Sequence, residues 1–256
     1  MTRRLKRSCG WIYPCRQAQG IDMRFNAVVF DAYGTLFDVY SVQHLAEQLF
    51  PGQGAALALA WRDKQIEYTR LITQSDPNPA HGSRFYQSFW DLTRLSLHYC
   101  LDRLKLDRSQ GQDEALMGQY AKLSPFPENL EVLRRIKHHG LTTAILSNGS
   151  PQMLDSAVQS AGMAGLLDHV ISVDGLRLFK TAPQAYALVQ QNIALPLEEI
   201  LFVTSNAWDA LGANWFGLRT HWVNRQGLPF EALEPRPDFT GPNLRSVLTT
   251  LQISPD

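Results

Sequence analysis

The run Val28-Val29-Phe30-Asp31-Ala32-Tyr33-Gly34-Thr35-Leu36-Phe37-Asp38-Val39 constrains this chain more than any other stretch. Three apolar residues of strand-forming type lead straight into Asp31, and Gly34 supplies a tight turn soon after. That pattern predicts a carboxylate at the C-terminal tip of a buried strand, the edge at which open α/β sheets place their ligands. A carboxylate needs no helper base to act as a nucleophile at neutral pH. A helix-capping or turn aspartate is the alternative for the same residue.

Two distant stretches repeat the design. Thr142-Thr143-Ala144-Ile145-Leu146-Ser147-Asn148-Gly149-Ser150 and Ile200-Leu201-Phe202-Val203-Thr204-Ser205-Asn206 both run from apolar residues into hydroxyl and amide groups, and Phe179-Lys180-Thr181 lies between them. Asp31, then Ser147-Asn148, then Lys180, then Ser205-Asn206-x-x-Asp209 resembles the four motifs of the haloacid dehalogenase (HAD) superfamily. Within it, the strings FDAYGTLFDV, WRDKQIEYT, LSNGSP, FKTAPQAY and FVTSNAWDA resemble the L-2-haloacid dehalogenases. The resemblance runs roughly from Met23 to Leu251. It implies an α/β fold: a HAD-like Rossmannoid core with a parallel sheet flanked by helices, plus an inserted helical cap.

The pattern between the motifs agrees with that architecture. From about Ser41 to Ala121 the apolar positions follow a helical period, among them Leu45, Leu49, Leu57, Trp61, Ile66, Phe89, Leu92 and Leu97. Pro51-Gly52 and the cluster from Asp76 to Gly82 break the run into several helices. Ser124-Pro125-Phe126-Pro127 returns the chain to the core, and Asn129 to His139 reads as a helix ended by Gly140. From there strand and helix alternate, as in a parallel sheet. The expected domains are a core of residues 23–40 and 122–256 and a cap of 41–121. Residues 1–22 stand apart, with Arg3, Arg4, Lys6, Arg7 and Arg16 and no acid before Asp22. No apolar run of signal-peptide length follows the paired arginines, and Gly10, Pro14 and Gly20 interrupt any presequence helix. The segment reads as a disordered extension or as the product of a start codon upstream of a natural start at Met23.

Composition narrows the partners. A chain of 256 residues, 45% hydrophobic, is long enough to bury a sizeable core. Its 24 basic and 24 acidic residues cancel, which gives no support to a nucleic-acid or anionic-membrane surface and favours a small-molecule partner. Three cysteines, Cys9, Cys15 and Cys100, make neither a disulfide framework nor a four-ligand zinc site, so a cytoplasmic location is expected. No apolar stretch is long enough for a membrane span.

The residues also discriminate among chemistries. Superfamily phosphatases carry a second aspartate two places after the first, where this chain has Tyr33, and an acidic cluster for magnesium, where Ser205-Asn206-Ala207-Trp208-Asp209 offers one carboxylate. Both departures favour attack on carbon, with no metal and no cofactor. The resemblance then implies hydrolytic dehalogenation of (S)-2-haloacids such as chloroacetate or L-2-chloropropionate, with inversion, through an ester on Asp31. It implies further that Asp209 is the general base and that Lys180 orients Asp31. On this reading Thr35 and Asn206 are expected to hydrogen-bond the nucleophile or its neighbours, and Ser147 and Asn148 are placed to hold the substrate carboxylate. Arg62 receives the departing halide, for which a weakly hydrated guanidinium is suited. Tyr33, Ile66 and Trp208 wall the pocket, and Tyr186 positions Lys180 or Asp209. Plainer roles exist for some of these: a surface lysine at 180, a helix-surface ion pair at Arg62, packing at Tyr186 and Trp208. Thr181 stands where many relatives have proline, and Thr204 where serine is common. A homodimer through cap helices is expected. The competing functions are a phosphatase of the same superfamily and a catalytically idle anion-binding protein with this fold.

Overall fold

The computed structural model describes residues 24–76, 79–107 and 109–254; the expectation for residues 1–22 lies outside the described residues, as do Cys9 and Cys15. Six strands, β1 (Ala27–Phe30), β2 (Thr142–Ser147), β3 (His169–Ser172), β4 (Ile200–Thr204), β5 (Arg219–Val223) and β6 (Phe239–Gly241), form a parallel sheet in the order β3-β2-β1-β4-β5-β6. Every residue of β1 and β4 is buried, which is why both read as unbroken apolar runs rather than alternating ones. After β3 the chain crosses back to lie beside β1. The C-terminal ends of β1 and β4 therefore flank the point where strand order reverses, the crevice in which such sheets bind ligands. The Asp31 amide extends the ladder by one bond, donating to Val203 O at 2.9 Å, so the carboxylate leaves the sheet at this crevice.

Between β1 and β2 come α1 (Val42–Leu49), α2 (Gly54–Gln74), α3 (Phe89–Arg103) and α4 (Gln110–Tyr120). Ser88 caps α3 by accepting from the Asp91 amide, and Ser109 with Gln112 forms a capping box on α4. On α2, Leu57, Trp61, Gln65 and Thr69 are buried at intervals of one turn, and this face meets α3 and α4. Trp61 Nε1 donates to Thr93 O at 2.7 Å, and its ring lies 5.3 Å from that of Tyr120. The two passages between this helical segment and the sheet run side by side: Phe37 bridges to Pro125, the Asp38 amide donates to Ser124 O at 2.9 Å, and that of Phe126 to Leu36 O at 3.4 Å. A second seam joins Tyr86 Oη to Asp174 at 2.5 Å and the Phe179 amide to Thr73 Oγ1 at 3.0 Å.

The sheet is flanked by α5 (Asn129–His138), α6 (Pro151–Ser160), α7 (Pro183–Asn192), α8 (Ala207–Phe216) and α9 (Arg245–Thr250). Gly140, at φ +77°, takes the left-handed turn that stops α5. His221 ties α9 to β5, its ring nitrogens 2.9 Å from Thr250 Oγ1 and Ser246 Oγ. Burial pushes this imidazole down to about 4, so it is neutral at physiological pH. Among the described residues no helix is long and apolar enough to cross a membrane.

Candidate active site

Asp31, at the tip of β1, is held at three points. Its Oδ1 accepts from Lys180 Nζ at 3.0 Å, and its Oδ2 accepts from Thr35 Oγ1 at 2.9 Å and Asn206 Nδ2 at 2.8 Å. Thr35 is fixed in turn by the Ser205 amide, which donates to its hydroxyl at 2.8 Å. Asn206 occupies the N-cap of α8 but makes no side-chain cap bond; its amide is directed to Asp31 and, at 3.2 Å, to Tyr33 O. An asparagine at this position would ordinarily stabilise the helix by roughly 1 kcal/mol through capping. Here that interaction is given up for the carboxylate.

Lys180 precedes α7 and Asp209 lies in the first turn of α8, so the crevice between the two segments brings them together. Lys180 Nζ is 2.9 Å from Asp209 Oδ2, and Tyr186 Oη donates to Asp209 Oδ1 at 2.8 Å. Lys180 is 1% exposed and Asp209 is fully buried. Burial alone would favour neutral Lys180, but the carboxylates of Asp209 and Asp31 outweigh it and raise the ammonium above its ordinary value. Burial first, and then the charge of Asp31, push Asp209 up to about 6 against the opposing pull of Lys180 and Tyr186. A carboxylate tuned into that range can take a proton from water and return it near neutral pH. Gly212 on α8 permits the close approach of Tyr186 and of Thr181, since a Cβ there would stand 2.5 Å from Tyr186 Oη and 2.7 Å from Thr181 Cγ2.

Arg62 reaches the same site from α2. Its guanidinium donates to Tyr33 O at 2.9 Å, Gln65 Oε1 at 2.8 Å and Asn206 Oδ1 at 3.2 Å, and among the described residues no carboxylate pairs with it. A buried cation held only by neutral acceptors is poised to receive an anion. Gln65 was not singled out from sequence. It sits three residues after Arg62 on the buried face of α2, and it is held by Tyr120 Oη and Thr93 Oγ1 at 3.1 and 2.6 Å.

The remaining candidates occupy other places. Ser147 is buried at the end of β2, its hydroxyl accepting from the Gly149 amide at 3.1 Å, and Asn148 Oδ1 accepts from the Lys180 amide at 2.9 Å. Asn148 thus braces the backbone that carries the lysine. Thr204 is buried and its hydroxyl accepts from the Asn206 amide at 3.1 Å. The Tyr33 ring is enclosed by Phe37, Phe89 and Tyr120 at 5.6–6.0 Å. A cleft of about 800 Å³ opens from solvent to Gly34, Arg62 and Asn206, with Ile66 and Trp208 on its walls, and Asn206 links it to Asp31 by its 2.8 Å hydrogen bond. The Arg70 guanidinium lies over the Trp208 ring, 5.5 Å from its centre.

The carboxylates do not fit a divalent cation. Both oxygens of Asp31 and both of Asp209 are already engaged by protein donors, with the Lys180 ammonium between them. Among the described residues no group of three or more potential ligands is gathered for a metal.

Residues 25–217 match the family model of the haloacid dehalogenase-like hydrolases. An (S)-2-haloacid dehalogenase of Pseudomonas sp. (strain YL) is 41% identical over 221 residues, 86% of this chain and 92% of that protein. Haloacetate dehalogenase H-2 of Moraxella sp. (strain B) is 37% identical over 230 residues, 90% of this chain and 99% of that one. Among solved structures, one L-2-haloacid dehalogenase shares 53% identity with a TM-score of 0.86, covering 90% of this chain and 99% of its own. The enzyme from Xanthobacter autotrophicus, solved with chloropropionic acid covalently bound, shares 35% identity with a TM-score of 0.80, covering 89% of this chain and 98% of its own.

Proposed function

This chain belongs to the haloacid dehalogenase-like hydrolases, in their L-2-haloacid dehalogenase branch, and we propose that it hydrolyses (S)-2-haloacids to 2-hydroxy acids and halide by way of Asp31. It is a hydrolase of carbon–halogen bonds. The observation that carries the residue assignment is the buried Lys180 ammonium between Asp31 and Asp209, 3.0 and 2.9 Å from their oxygens.

In the proposed first step an Asp31 oxygen bonds to the halogen-bearing carbon from the face opposite the halogen. The carbon–halogen electron pair leaves with the halide, no proton moves, and the carbon inverts. Arg62 takes the developing anion, while Lys180, Thr35 and Asn206 keep the carboxylate aimed. In the second step Asp209 removes a proton from water, which attacks the carbonyl carbon of the ester. The acyl–oxygen bond breaks, the proton on Asp209 passes to the departing alkoxide, and water's second proton leaves the regenerated Asp31 carboxyl for solvent, which restores the carboxylate. Ser147 and Asn148, at the end of β2, are the proposed neighbours of the substrate carboxylate, and Ile66 and Trp208 flank its way in from the cleft.

Halide release from L-2-chloropropionate in the presence of a chelator tests this. Release with the L form and not the D form is expected, together with no hydrolysis of a phosphate monoester when magnesium is restored. Phosphate release alone would turn the assignment to the phosphatase reading, and neither activity would favour an idle anion binder.

We read residues 41–121 as a cap that closes over the sheet's C-terminal edge. Its outer surface carries Leu59 of α2 with Leu95 and Tyr99 of α3, each more than 40% exposed, and a homodimer covering this face is the proposed assembly. Tyr99→Glu should convert a dimeric wild type to monomer in sedimentation velocity; a wild type that is monomeric at all concentrations refutes it. A cytoplasmic location belongs to the same proposal, and release of the activity by osmotic shock alone would contradict it.

A further inference from the structure

One half-buried cation on the wall of the cleft takes no part in the steps above. Arg225 follows β5, and its guanidinium is spread across the joint between the sheet and the helical segment. Nη1 pairs with Glu128 Oε1, Nη2 donates to Thr35 O at 3.2 Å and Asn129 Oδ1 at 3.4 Å, and the guanidinium lies 3.7 Å from the centre of the Phe126 ring. Asn129 reinforces the contact, its amide donating to Thr35 O at 3.3 Å and to Leu36 O at 2.8 Å. Glu128 is held in turn by the Leu244 amide at 3.2 Å. Burial opposes its ionisation, but hydrogen bonds from Arg225, the Glu128 amide and Leu244 outweigh that and keep the carboxyl below its ordinary value.

These contacts converge on one peptide carbonyl. Thr35 O is gripped by Arg225 and Asn129, while the hydroxyl of the same residue donates to Asp31 Oδ2 and accepts from the Ser205 amide. Fixing the carbonyl fixes the residue's backbone, and so the direction from which the hydroxyl meets the carboxylate. Glu128 is buried and Arg225 only half-buried, and an ion pair of this kind contributes little net stability once desolvation and solvent screening are counted, so the value of this one lies in the geometry it imposes. A planar fork with several donors is suited to gripping a carboxylate and a carbonyl together, which an ammonium cannot reproduce.

We propose that Arg225 is a positioning residue for the dehalogenation reaction: with Glu128 and Asn129 it clamps Thr35 O and thereby holds the Thr35 hydroxyl on Asp31. The proposal rests on Asp31 being the nucleophile of the reaction set out above. Its effect falls on ester formation, because an attacking oxygen displaced by a fraction of an ångström loses its alignment with the carbon–halogen bond.

A double-mutant cycle between Arg225→Gln and Thr35→Val, read by the pre-steady-state rate of halide release from L-2-chloropropionate, tests it. Arg225→Gln should slow the burst roughly tenfold or more, leave KM within about twofold, and have less than about a twofold further effect once Thr35 is valine. If the single variant does not fold, the pair Arg225→Gln with Glu128→Gln removes both charges together and serves in its place, with melting temperature as the control. An unchanged burst in a folded variant, an effect confined to KM, or full additivity with Thr35→Val overturns the proposal. A wild type that releases no halide instead overturns the underlying reaction, so the two failures are distinct.

Discussion

Asp31→Asn should lower turnover of L-2-chloropropionate by about 10⁴-fold or more, since a neutral amide oxygen is a poor nucleophile toward saturated carbon. The variant keeps the shape of the side chain at the tip of a fully buried strand, and Lys180 retains Asp209 at 2.9 Å, so the fold should persist. Circular dichroism checks the fold and a chloride-release assay checks the rate; activity within tenfold of wild type would remove Asp31 from the nucleophile's role. Single turnover in oxygen-18 water adds an independent reading. The label should enter Asp31 before it appears in any product, whereas immediate labelling of the 2-hydroxy acid would indicate direct attack by water.

The second large effect separates Asp209 from Lys180, although both sit in one buried cluster. Asp209→Asn should still displace one equivalent of halide per site and then stall, with the ester on Asp31 visible as a mass adduct. Lys180→Ala should slow halide displacement itself by roughly 10²-fold or more, because Asp31 loses the cation that fixes its charge, and little ester should accumulate. The pH dependence supplies a further contrast. Asp209 acts as base only when deprotonated, and it is pushed up to about 6 by burial and by Asp31. In the ester Asp31 no longer carries a charge, which removes one of the causes raising Asp209. Ester hydrolysis should therefore fall about tenfold per pH unit below an inflection lower than about 6 and level off above it, while the halide burst, which uses no base, does not follow the ionisation of Asp209. A full burst with Lys180→Ala and none with Asp209→Asn would exchange the two assignments.

Much of this architecture is legible in the chain because it depends on local chemistry. Val28-Val29-Phe30 and Ile200-Leu201-Phe202-Val203 are apolar on both faces, and only a strand buried between helices satisfies such a run. Ser88, Ser109 and Gly140 mark helix ends through their own hydrogen bonds and backbone freedom. The order of polar residues after the strands, from Asp31 to Asp209, likewise marks which ends carry chemistry. The three-residue β6 leaves no comparable trace, being too short for a period to register.

What the tertiary structure decided is which of these groups meet. Lys180 and Asp31 are 149 positions apart, and no local preference states that one ammonium will lie within 3.0 Å of both carboxylates; strand neighbours and the paths of α7 and α8 bring that about. Asn206, which the resemblance places beside the nucleophile, turns its amide to Asp31 rather than capping α8 because β1 and β4 are adjacent. Asn148, expected beside the substrate, also braces the Lys180 backbone. Arg225 lies in no motif, and Gln65, although inside WRDKQIEYT, shows no role there, since the importance of both comes from the groups they touch across the fold. Residue type and spacing encode strand, helix and turn through short-range sterics and burial. Distances, tuned proton affinities and clamped carbonyls arise only when distant segments are packed out of water against one another.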